Sequence, residues 1–142
     1  HLGKILLEDC KEPLYFKYMP HAVFTEPEIA SVGITEQKAK EKNIKYITST
    51  TNWLASAKAM STRLHYPVTK FLINPDNYEI LGCHMIGPES STMMHQVLAV
   101  MHINNDVRHI KEMLYIHPAL SEALLPAAVA AVKEVEKYNK KS

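Results

Sequence analysis

Four glycines, two cysteines and one tryptophan are spread through the 142 residues, and each scarcity removes a class of chemistry. So little glycine leaves no GxGxxG fingerprint, and neither a P-loop nor a nucleophile elbow occurs, so no dinucleotide or phosphate cradle is written into the chain. Cys10 and Cys83 stand far apart and fit neither CxxC nor metal-ligand spacing, which suits a reducing compartment and makes a cytoplasmic location the expectation. No apolar run approaches the roughly 20 residues that a membrane-spanning helix needs, and the first residues carry no secretory pattern. Charge of one sign is missing too: 16 basic side chains face 15 acidic ones for a net charge of +1, and only Lys137, Lys140 and Lys141 cluster. Neither nucleic acid nor a membrane is an expected partner. Eight histidines invite a metal, yet no two stand at i, i+4 on a helix with a third ligand in reach. His84, His95 and His102 therefore read as packing or surface residues, and no metal site is expected.

What remains is enough for one domain with a real core and too little for two ordinary ones. The chain begins with His rather than Met, which suggests a fragment or a processed chain. "HLGKILLEDC" reads as the last turns of a helix, with Leu2, Ile5 and Leu6 on one face. Residues 1–19 are accordingly assigned to a linker or the end of an upstream domain, and residues 20–142 to the domain itself.

The central part alternates strand signals with turn signals. Two short β runs flank the Thr25-Glu26-Pro27-Glu28 corner, Thr35 caps a polar helix reaching about Asn43, and the β-branched "IKYITSTTNW" predicts a strand. Residues 54–66 carry an irregular pattern. "VTKFLI" and "YEILGCHMIG" predict a hairpin through Asn74-Pro75-Asp76-Asn77, because proline presets one turn angle and Asn and Asp tolerate the others. The serines from Ser90 and Thr92 offer caps to a helix on which Met94, Val97, Leu98 and Met101 recur at helical spacing. Met93, Met94 and Met101 read as buried, Trp53 as a core or interface anchor, and Cys83 as a small buried side chain. A short helix is expected from about Asp106 to Met113. A last helix then places Leu120, Ala123, Leu124, Ala127, Ala128, Ala131, Val132 and Val135 on one stripe. Strands followed by helices imply an α+β domain, an antiparallel sheet covered by helices on one face.

The chemistry-bearing stretch is "YIHPALSEALLPAA", Tyr115 to Ala128. Proline restrains the residue before it to extended angles, so His117 must end a loop on a stiff corner. Pro118 suits the opening of a helix, where its missing N–H would have had no partner. Glu122 falls in or near the first turn, where the positive end of the helix keeps a carboxylate ionised and able to orient a nearby imidazole. A base with an orienting acid is part of what proton transfer needs. The spacing also suits a loop histidine bonded to a helix end beside a glutamate that merely enriches a first turn. Pro126, if inside the helix, should kink it close to Glu122 at a cost of roughly 3 kcal/mol for the lost bond and the clash, unless the helix begins later.

Three motifs together resemble a known family. "HAVFTEPEIASVGIT" (His21 to Thr35), "ILGCHMIGP" (Ile80 to Pro88) and "IHPALSEAL" (Ile116 to Leu124) stand in the order and spacing of the C-terminal dimerisation domain of the pyridine nucleotide-disulfide oxidoreductases, most like that of the dihydrolipoamide dehydrogenases. The resemblance runs from about Pro20 to the end of the last helix. It implies a homodimer of longer flavoprotein subunits, with FAD and NAD(P) bound by FAD- and NAD-binding domains of the same full-length chain and none on this fragment alone. It also implies that His117 protonates and deprotonates a dithiol or disulfide substrate such as lipoamide at the partner subunit's site. Glu122 would orient His117, and Pro118 would lie in the loop that reaches the partner's flavin. The isolated domain should be inactive. Tyr115 stands where many members have a second histidine, Ala119 where threonine is common, and Pro126 is unusual. Mercuric-reductase-like and glutathione-reductase-like membership remain alternatives, as does a free-standing interaction module without catalysis. The absence of a terminal cysteine pair and the "ALSEAL" segment favour the lipoamide group.

Overall fold

The structure, a computed structural model, describes residues 2–8, 11–12, 16–61, 63 and 67–141. Cys10 lies outside them. A short helix, α1 (Leu2–Glu8), buries none of its residues. The sheet follows in β1 (His21–Val23), β2 (Ile29–Gly33), β3 (Ile47–Asn52), β4 (Val68–Ile73) and β5 (Ile80–Ile86), all paired antiparallel in the order β1-β2-β5-β4-β3. Between them come α2 (Glu36–Glu41) and α3 (Ala57–Ser61). After them come α4 (Ser90–Ile103), α5 (Val107–Glu112) and α6 (Leu124–Asn139). The α+β architecture expected from the sequence is the one observed.

Register decides which side chains reach the core. Across the central strands Thr69, Phe71 and Ile73 align with Met85, Cys83 and Ile80, and Ala30 and Val32 align with Met85 and Cys83. All eight are buried, because alternate residues of a strand share one face. Helices α4 and α6 cover that face, α4 over β2 and β5 and α6 over β3 and β4, while α5 packs on α6. The other face carries Ser31, His84 and Lys70 in one row. There α2 meets the sheet through a Glu36–Lys70 ion pair at 2.8 Å. Thr35 caps α2 as expected, accepting the Lys38 amide.

Trp53 is fully buried and donates its indole N–H to Thr69 at 2.8 Å. Gly87 makes room for it, since a Cβ there would enter the Trp53 ring. Opposite one another in β2 and β5, Gly33 and Gly82 let the strands close, because a Cβ on either would strike the backbone of Leu81 or Ile34.

Several expectations change in detail. Residues 54–66 are not simply irregular, because α3 forms within them. The start of α4 is not capped by its serines or Thr92. Glu28, from the turn before β2, accepts both the amide and the hydroxyl of Ser91, and the Ser90 hydroxyl turns back to the Gly87 carbonyl. Capping by a residue 63 positions away lies beyond any local signal. Pro126 produces no kink by loss of a bond: α6 begins at Leu124, so Pro126 falls in the first turn, where the missing N–H has no intrahelical partner.

Candidate active site

The chain leaves α5 through Met113 in an extended conformation. Tyr115 pins the loop that follows by donating its phenol O–H to the Ile110 carbonyl at 2.8 Å, and burial pushes its pKa up to about 12. The alternate residues Leu114 and Ile116 are 100% and 82% exposed. His117 ends the loop with its side chain 72% exposed.

Pro118 does not open a helix as expected. Its peptide bond to His117 is cis, Ala119 is extended, and the first helical residue is Leu120, at the head of a 3-10 turn through Ala123 that runs into α6. Glu122 is the third residue of that turn, and its two oxygens divide the work. Oε2 accepts the Ala119 amide at 2.8 Å, while Oε1 lies 2.8 Å from Nδ1 of His117. This is one side of a capping box, in which a glutamate reaches back to the residue before the helix. Ala119 has no hydroxyl with which to return the bond.

The Ala119 amide first, and then the His117 ring, hold the Glu122 carboxyl below the usual carboxylate range. An ionised carboxylate can only accept, so His117 donates from Nδ1. The side chains singled out from the sequence as a pair are therefore brought together, on an exposed corner. Sequence reasoning missed Ser56, whose hydroxyl donates to the Ala119 carbonyl at 3.2 Å. No pattern could have found it 63 residues away.

The other candidates take structural positions. His84 places Nε2 3.1 Å from the Ile34 carbonyl, with burial lowering its pKa. His102 places Nδ1 2.9 Å from the Leu98 carbonyl and stands edge-on to Tyr18. Cys83 is fully buried, and burial pushes its thiol well above the ordinary value, so it is not a thiolate at neutral pH. Among the described residues no group of three or more His, Cys, Asp or Glu could hold a metal ion.

Comparison with known proteins matches residues 19–128 to the dimerisation domain of the pyridine nucleotide-disulphide oxidoreductases. The mitochondrial dihydrolipoyl dehydrogenase of Schizosaccharomyces pombe is 33% identical over 116 residues, covering 82% of this chain and 23% of that protein. The chloroplastic dihydrolipoyl dehydrogenase 2 of Arabidopsis thaliana is 34% identical over 110 residues, covering 75% of this chain and 19% of that one. In fold the chain resembles the HOCl-induced flavoprotein disulfide reductase RclA from Escherichia coli, with a TM-score of 0.82 at 24% identity, over 90% of this chain and 30% of the other. With three motifs in register and a family match over most of its length, the chain belongs to the pyridine nucleotide-disulphide oxidoreductase dimerisation-domain family. Its similarity is to dihydrolipoyl dehydrogenases, and it spans about a quarter of the length of the S. pombe relative.

Proposed function

We propose that this domain joins two subunits of a dihydrolipoamide dehydrogenase-like flavoprotein and lends each partner an acid/base pair. His117 serves as acid and base toward a dithiol or disulfide substrate, and Glu122 as the group that orients it. The observation that carries this reading is the 2.8 Å contact between Nδ1 of His117 and Oε1 of Glu122 on an otherwise exposed corner.

The proton handling follows from that geometry. With Nδ1–H held by Glu122, Nε2 takes the proton of a substrate thiol, leaving a thiolate, which is the reactive species, and an imidazolium that the adjacent carboxylate stabilises. In the reverse direction the imidazolium returns its proton to a departing thiolate. Exposure of Leu114 and Ile116 beside His117 suits a loop seated against another subunit, with Pro118 near that subunit's flavin.

FAD and NAD(P) would be held outside this chain. The space beside the glycines of its sheet and the following turn is filled by Leu81, Ile34 and Trp53 of the chain itself, so they form no cradle for a pyrophosphate. When bound, a flavin supplies the electron transfer between the dithiol and a nicotinamide. The test is His117→Ala in the full-length enzyme, which should lower turnover of dihydrolipoamide with NAD by about 10²–10⁴-fold. Wild-type turnover in that variant would sink the assignment.

A further inference from the structure

The His117–Glu122 pair sits on an exposed corner, so something must hold the corner still. Glu122 can orient the imidazole only while Oε2 stays on the Ala119 amide, which belongs to the Pro118–Ala119 peptide bond at the corner. The carbonyl of Ala119 is taken by Ser56. The Ala119 backbone is thus gripped at both polar groups, by Glu122 at the N–H and by Ser56 at the C=O.

Ser56 is well placed to grip. Its residue is 3% exposed, its amide donates to the Trp53 carbonyl at 2.9 Å, and its own carbonyl accepts the Met60 amide at 3.0 Å. Its hydroxyl oxygen also accepts the Ala59 amide at 3.3 Å, so the single hydroxyl proton is left for Ala119. Trp53 in turn is fixed to the sheet through Thr69. A line of hydrogen bonds therefore runs from β4 through Trp53 and Ser56 to Ala119, Glu122 and His117. We infer that Ser56 is a positioning residue for the His117–Glu122 pair, holding from its carbonyl side the Ala119 residue whose amide anchors Glu122. Ser56 acts only through the Ala119 backbone. Its function in catalysis rests on the acid/base reading above.

The test needs no turnover and so stands or falls separately from that reading. In the full chain labelled with 15N-alanine and 15N-tryptophan, the Ala119 amide resonance is followed through an acid titration and through hydrogen exchange. Its midpoint reports the carboxylate that it contacts. Ser56→Ala should raise that midpoint toward the ordinary carboxylate value and speed Ala119 exchange about tenfold, as expected for loss of one hydrogen bond. The Trp53 indole resonance should stay in place and mark the fold as intact. Should Ser56→Ala fail to fold, Ser56→Cys, which keeps a side chain of similar size and a weaker donor, should give smaller shifts in the same two directions. An unchanged Ala119 midpoint and exchange rate in whichever variant folds would overturn the inference. A domain whose other alanine amides shift as much as Ala119 would overturn it as well, because the effect would then be general loosening.

Discussion

Cys83 and His117 both carry chemistry in principle, and the two regions around them treat it in opposite ways. Cys83 lies mid-strand between Val32 and Phe71 in a layer from which water is excluded, and burial holds its thiol protonated. His117 stands in solvent and is ordered by polar contacts to Glu122, whose own position depends on a backbone amide. The core gains its stability from apolar area, at about 25 cal/mol per Å² removed from water. The corner gains orientation, and exposed polar contacts contribute little stability. Reactivity and stability are thus kept in separate parts of the molecule.

The sharpest way to break this contrast is to cut into the core and ask whether the corner survives. Phe71→Ala should cost about 3–5 kcal/mol, because the fully buried ring leaves a cavity that neighbours fill only in part. Denaturant unfolding measures it, and a loss below about 1 kcal/mol would contradict the packing of β4 against α6. Thr35→Ala should cost about 1 kcal/mol by removing the oxygen that accepts the Lys38 amide at the start of α2. Tyr115→Phe should cost about the same, since the phenol is the donor to Ile110. Tyr115 also makes an alkaline prediction. Its folded pKa is raised from 10.0 to about 12, so the fold binds more protons than the unfolded chain in that window. Stability should fall as pH climbs through it, and Tyr115→Phe should lose that slope.

Glu122 tests the corner from the acid side. Its pKa is lowered in the folded chain, so its contribution is fully present above the usual carboxylate value and is lost as pH falls through the depressed one. The Ala119 amide should report that loss while the core resonances stay fixed. The smallest effect should come from His117→Ala on stability, within about 0.5 kcal/mol by thermal or denaturant unfolding, in contrast to its large expected effect on turnover. A strongly destabilised His117→Ala would mean that the corner belongs to the core after all.

Much of the fold was legible because its signals are local. The hairpin turn at Asn74-Pro75-Asp76-Asn77, the Thr35 cap and the stripe from Leu120 to Val135, buried throughout, each follow from residues a few positions apart. Misreadings fall where distant groups intervene. Ser90, Ser91 and Thr92 carry the right hydroxyls for a cap but lie inside α4, and Glu28 reaches Ser91 from another element. Pro118 was a reasonable first helical residue, but the chain bends there and enters a 3-10 turn two residues later, which moves Pro126 into the first turn of α6.

The candidate site divides along the same line. His117 and Glu122 could be paired from sequence, because five residues of spacing at a helix entrance bring a loop end and a carboxylate to one corner, whereas their role and the place of Pro118 came only with the family resemblance. The sequence by itself determined the alternation that buries one sheet face, the amphipathic stripe of the last helix and the chemical identity of the pair. It took the folded chain to bring the Ser56 hydroxyl onto the Ala119 carbonyl. Hydrogen bonds between residues dozens of positions apart have no periodicity to betray them, and they exist only once the sheet and helices have set the distances.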